Sequence, residues 1–88
     1  MQSGARVEQI SDQLRDFFGV FGANGVLVTS VERGSAAEKA GLKAADVVTS
    51  VDGKDIRTPD DFSRAMRAAS KPAVKVIRDK KEVELRFE

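Results

Sequence analysis

The chain has no cysteine and no histidine among its 88 residues. Without cysteine there are no disulfides, no thiolate metal sites and no sulfur nucleophile. Without histidine the usual general base near neutral pH and the commonest transition-metal ligand are also missing. Carboxylates and lysines alone would have to do any chemistry, with no glycine-framed serine beside a base. The chain is therefore expected to be non-catalytic, with no cofactor and no bound metal. The missing thiols leave the redox compartment open, since such a domain tolerates oxidising and reducing surroundings alike.

An excess of charge of either sign is lacking too. Fifteen basic and fourteen acidic side chains give a formal charge of +1, with the signs interspersed. The broad positive field that gathers a phosphate backbone is absent, so nucleic acid is not an expected partner. Apolar runs are only a few residues long and the N-terminus has no basic-apolar-small signal pattern, so the chain reads as soluble, without membrane insertion. What is present, 41% apolar and 33% charged residues, suits one domain over residues 1–88 with a modest core. A core of that size relies on well-made turns and caps.

Those turns and caps are legible along the chain. Ala5 to Ile10 alternates apolar and polar as a short half-buried strand does. Ser11 caps a helix through DQLRDFF, in which Ile10, Leu14, Phe17 and Phe18 recur on one face, so both phenylalanines are expected in the core. Phe21 to Gly25 is a turn before the strand VLVTSV. In GSAAEKAGL, Ser35 and Glu38 are spaced as a capping box and Gly41 as a C-cap. Asp52-Gly53 makes a tight turn between VVTSV and KDI. Thr58, Pro59, Asp60 and Asp61 start the longest helix, Pro59 to Ser70, with Phe62, Ala65, Met66 and Ala69 as its inner stripe. Pro72 ends it, and AVKVI and EVELRFE form a terminal hairpin whose tip carries Lys80 and Lys81, solvated. Short strands with one useful helix give an α+β chain, a small curled sheet closed by helices. The aspartates at 52, 55, 60 and 61 have turn or cap work, and their spacing is not that of a calcium loop.

From GVLVTSVERGSAAEKAGLKAADVVTSVDGKDI through the capped helix to IRDKKEVELRF, the sequence resembles a bacterial PDZ domain of the kind carried by Do-like (HtrA-type) serine proteases. The likeness covers nearly the whole chain and rests on a run of motifs in order. It departs from the family pattern at Ala36, where proline is usual, and at Ala45 and Lys80, where glycine is usual. If the turn at Ala45 needs positive φ, the Cβ there costs about 1 kcal/mol.

The resemblance implies an antiparallel sheet of five to six strands capped by two or three helices, in the circularly permuted bacterial strand order. It implies capture of an extended peptide, commonly a free C-terminus, added as a strand between a sheet edge and a helix. The parent would then be a periplasmic or cell-envelope serine protease in which this domain presents substrates or regulates, with an oligomeric parent allowed. The alternative is a docking domain whose groove is filled by its own protein or an oligomer partner.

Two segments compete for the carboxylate-receiving loop. Phe17-Phe18-Gly19-Val20 looks the part, but only Val20 and Phe21 separate it from the next turn, about 7 Å of strand. Its glycine is better placed as the C-cap of the first helix. Gln2-Ser3-Gly4-Ala5 is followed by the strand Ala5 to Ile10, about 20 Å of partner edge. The family usually has bulky apolar residues around that glycine; Ser3 and Ala5 are small, which implies a shallower terminal pocket. The peptide-binding set is therefore Ser3, Gly4, Ala5, Arg6, Val7 and Glu8 with Pro59, Ser63, Met66 and Arg67, while Phe62 and Ala65 face the core. Arg6 and Arg67 are either attractors of an acidic ligand or ordinary surface charge, and the sequence does not separate the two.

Overall fold

Alternation of period two and well-capped short helices account for the architecture of the computed structural model, which describes residues 3–20, 22 and 24–88. Gln2 of the expected loop and Phe21 and Ala23 of the expected turn lie outside the described residues. In chain order the elements are β1 (Ala5–Gln9), α1 (Asp12–Phe18), β2 (Val26–Val31), α2 (Ala36–Ala40), β3 (Val47–Val51), β4 (Lys54–Asp55), α3 (Pro59–Ala68), β5 (Ala73–Arg78) and β6 (Lys81–Arg86). Among the described residues they form one six-stranded antiparallel sheet in the order β1-β2-β3-β5-β6, with the two-residue β4 paired to β3.

The main core is built from the inward positions of β2, β3 and β5, closed by Ala37, Leu42, Phe62, Met66 and Phe87. A smaller cluster of Ile10, Val20 and Val47 sits under α1. Burying each such aliphatic side chain contributes about 1.5–3 kcal/mol against an exposed reference. These clusters hold β1 and α3 side by side.

The caps act as the sequence indicates, with one exchange of detail. Ser11 Oγ accepts from Leu14 N–H, and Gly19 closes α1 in the left-handed conformation, so the FFGV stretch is a helix end. Ser35 Oγ accepts from Glu38 N–H, but the Glu38 carboxylate accepts from Gly34 N–H rather than from Ser35, so the box there is not reciprocal. The reciprocal box is at α3. There Thr58 Oγ1 accepts from Asp61 N–H at 3.1 Å, and Asp61 Oδ2 accepts from Thr58 N–H at 3.2 Å. The N–H donated by Arg57, with Arg64 beside it, holds the Asp61 carboxyl below its usual range.

Other expectations are corrected. Phe17 is 71% exposed and Leu14 40% exposed, so neither is core; Phe18 alone of the pair packs inward, against the Ile10 cluster. The seven-residue α1 has no fully buried residue and half-buries Phe18, while Phe17 meets solvent and the ring of Phe18, centroids 5.1 Å apart. The strand ends at Gln9 and α3 at Ala68, with Ala69 as its C-cap. Lys81 is the first residue of β6, leaving Asp79-Lys80 as a two-residue turn with both φ positive, the geometry that matches strand twist. The Lys80 stem lies so close over Gly19 that a Cβ there would meet its Cγ at 2.7 Å.

Ala45 has φ of +77°. An L-residue is strained there by about 1 kcal/mol. Ala45→Gly is accordingly expected to raise the stability of the chain by up to about 1 kcal/mol, less what the freer unfolded glycine gives back. The check is urea unfolding: the midpoint moves up with an unchanged slope. A lower midpoint contradicts the strain.

Candidate groove between the first strand and the longest helix

Strand β1 pairs with β2 on one side only, and among the described residues its other side has no strand partner. The direction of its peptide groups can be worked out. Gly4 C=O accepts from Glu32 N–H at 2.8 Å, so it points toward β2. In a trans peptide the N–H of the next residue points the opposite way, which aims Ala5 N–H at the open side. Arg6 C=O likewise accepts from Thr29 Oγ1 at 3.3 Å, which aims Val7 N–H outward too. The rim therefore presents backbone donors at alternate residues, the template on which an extended chain adds as a strand. The opposite sheet edge, β6, exposes Lys81, Glu82, Glu84 and Arg86, and charge of that kind discourages strand addition.

Helix α3 lies alongside the open rim of β1, and between them runs a groove of about 350 Å³. Its strand wall is Ser3, Gly4, Ala5 and Val7; its helix wall is Phe62, Ser63, Met66 and Arg67. The structure thus brings together seven of the ten residues named from the sequence. Arg6 and Glu8 are exposed on the other face of β1, because neighbouring strand residues point to opposite sides; Arg6 borders Ser30, Val31 and Glu32 instead. Pro59, at the first turn of α3, does not line the groove. Phe62, assigned by sequence to the core, is 3% exposed yet also forms groove wall. It stands four residues before Met66, one turn up the same helical face, and that spacing was the available signal. Met66, 2% exposed, serves core and groove at once.

The loop at the groove's end is fixed from several directions. Ser3 is buried, and its carbonyl accepts from Ala37 N–H at 2.8 Å, tying the loop to the start of α2. Gly4 has φ of +83°, and a Cβ built there would lie 2.2 Å from Ser35 Cβ. Ser3 Oγ accepts from Ala5 N–H at 3.2 Å. One of the amides facing the groove is thus already bonded to a hydroxyl from its own loop. Among the described residues lining the groove Arg67 is the one that carries charge, and it is exposed. Its neighbour Arg64 is occupied by Asp60 and Asp61.

A second cleft, of about 400 Å³, lies at the far side between Phe17, Phe18, Lys43 and Arg78. Its floor is an ion pair between a half-buried Arg78 and a buried Asp46. Arg78 donates to Asp46 at 2.8 and 2.6 Å and to Gly41 C=O at 2.8 Å, and Asp46 is 2% exposed. The Asp46 carboxylate holds the Arg78 guanidinium above its usual pKa. Helix end and turn line this cleft, so it offers no strand edge.

With this geometry in place, comparison with known proteins is direct. The family model for the PDZ domain matches residues 27–78. A protein of Rhizobium meliloti (strain 1021) named "Probable periplasmic serine endoprotease DegP-like" is 35% identical over 65 residues, covering 74% of this chain and 13% of the relative. One of the same name from Marinomonas sp. (strain MWYL1) is 34% identical over 82 residues, covering 90% and 18%. The chain therefore spans under a fifth of the length of these relatives. Among solved structures, the PDZ domain of HtrA3 bound to a phage-derived ligand (FGRWV) superposes with a TM-score of 0.84 at 20% identity, covering 98% of this chain and 81% of that one. The HtrA-type protease AlgW with a decapeptide gives 0.80 at 23% identity, covering 99% and 28%.

Proposed function

The chain belongs to the PDZ domain family, and from that premise we propose that it captures extended peptides, free C-termini among them, by adding them as a strand between β1 (Ala5–Gln9) and α3 (Pro59–Ala68). The observation that carries this reading is the open rim of β1 with its outward Ala5 and Val7 amides, running beside a groove with apolar walls. A peptide placed there pairs with the Val7 amide and competes with Ser3 Oγ for the Ala5 amide, and Phe62, Met66, Ala5 and Val7 receive its apolar side chains. The solved structures with a phage-derived ligand and with a decapeptide support peptide capture. The relatives are periplasmic serine endoproteases, and on that likeness the parent protein is an envelope protease in which this domain presents or senses substrates. Cleavage belongs to other domains of such a protein.

The test is titration of the chain with labelled decapeptides as free acids and as C-terminal amides. Free acids bind, and amides bind only modestly less well, because Ser3 Oγ holds the Ala5 amide that a carboxylate would use. Ser3→Ala releases that donor and is expected to widen the acid-over-amide ratio about fivefold, the worth of one hydrogen bond. A ratio unmoved by Ser3→Ala removes the competition. Absence of binding by every peptide, to either form, ends the capture reading and favours a groove filled by the parent protein itself.

A further inference from the structure

We infer that Arg67 supplies the anion recognition of this groove, and that its preferred ligand is an extended peptide with an acidic side chain within its last three residues. This rests on the groove accepting a peptide as proposed above. Three observations carry it. First, among the described residues that line the groove Arg67 carries the one charge, and those around it are small, apolar or hydroxylic. A fixed guanidinium at an apolar wall, with no carboxylate among the lining residues to neutralise it, attracts a ligand carboxylate and repels a ligand ammonium.

Second, the loop that would meet the terminal carboxylate is partly engaged within itself: Ala5 N–H donates to Ser3 Oγ. Anion capture by the loop is correspondingly weakened, and the helix holds the remaining positive group. Third, the reach is short. The cavity wall that includes Arg67 extends along the strand only from Ser3 to Val7. A peptide paired to that stretch places its last two or three residues there, at about 3.4 Å each. A carboxylate further upstream lies beyond the wall that Arg67 forms. Arg6, the other cation in this segment, is on the opposite face of β1 and takes no part. Ser63, one helical turn before Arg67 on the same wall, adds a hydroxyl beside the same position.

The experiment uses the whole 88-residue chain and decapeptides identical except at the second and third residues from the end, which are both alanine, or carry one glutamate, or carry one lysine. Each is made as acid and as amide. The chain is expected to bind the glutamate peptides about fivefold more tightly than the lysine peptides, as a rim ion pair gives, with the ratio shrinking as salt rises. Arg67→Gln brings the ratio to near one and Arg67→Glu reverses it; the site is exposed, and an unchanged urea-unfolding midpoint reports that the fold is retained. The glutamate preference is expected in the amides as well as the acids.

Equal binding of glutamate and lysine peptides, or a preference that survives Arg67→Glu, overturns the role of Arg67 while leaving peptide capture intact. A preference confined to the free acids overturns the side-chain assignment and returns anion recognition to the terminus. If even the alanine peptide fails to bind, the groove reading itself has failed, and this inference with it.

Discussion

Gly4→Val is expected to abolish peptide capture and to lower the stability of the chain by roughly 3 kcal/mol. Two costs combine. A β-branched residue at φ of +83° is strained by about 1–2 kcal/mol. Its Cβ also falls 2.2 Å from Ser35 Cβ, an atom fixed at the N-cap of α2 rather than the free end of a flexible side chain. Relief requires the loop to peel away from α2, breaking the 2.8 Å bond from Ala37 N–H to Ser3 C=O and moving the end of the groove. Forced overpacking of this kind costs about 1–3 kcal/mol. Gly53→Ala is the comparison: φ there is +80°, but nothing lies within 4 Å of the added Cβ. It is expected to cost only about 1 kcal/mol of dihedral strain and to leave peptide affinity unchanged. Urea unfolding and peptide titration of both variants decide the matter. Capture retained by Gly4→Val means that the loop is not part of the site.

Arg78→Met is expected to be as costly for the fold and silent for the groove. Among the described residues it leaves the Asp46 carboxylate, 2% exposed, with the Lys43 N–H at 2.9 Å as its remaining donor, and it strips a donor from Gly41 C=O. Removing one partner of a buried pair costs about 3–5 kcal/mol. The lower end applies here because the Arg78 side chain is 27% exposed. For a domain of this size about 3 kcal/mol corresponds to a fall in Tm of roughly 15 °C. Arg78→Lys is expected to lie between, since an ammonium cannot reproduce the fork that reaches both Asp46 oxygens and Gly41. Adding Asp46→Asn to Arg78→Met recovers part of the loss, because the stranded charge is gone. Calorimetry gives the Tm series, and a peptide titration well below each Tm returns the affinity of the natural chain. An unchanged Tm in Arg78→Met contradicts the pair's structural role.

The order of elements was readable because strands of period two and helices with Ser11, Ser35 and Thr58 at their N-caps announce themselves locally. The strain at Ala45 was also readable, from a residue with a Cβ standing where the resembling domains have glycine. Spacing did not determine which side of α1 meets the sheet: Ile10, Leu14, Phe17 and Phe18 share a helical face by count, yet α1 sits on the rim and leaves Phe17 in water. The same limit applied to the site. Arg6 and Arg67 are alike in composition and both follow groove residues, but strand alternation turns one away, and the four-residue step from Ser63 turns the other in. Spacing places Phe62 in the core, and a thin domain uses the same ring as groove wall. The hydroxyl on Ala5 N–H had no sequence signal beyond a serine two residues before it, since the bond depends on the loop's dihedrals.

The most direct test of strand addition is amide hydrogen exchange, followed residue by residue by NMR with and without a saturating decapeptide. Val7 points its N–H group into the groove and is predicted to exchange markedly more slowly once the peptide is bound, while the Ala5 amide, already held by Ser3 Oγ, changes less and the amides of β6 exchange as before. Tight peptide binding that leaves the Val7 amide exchanging at its free rate, or that protects β6 instead, would contradict the account.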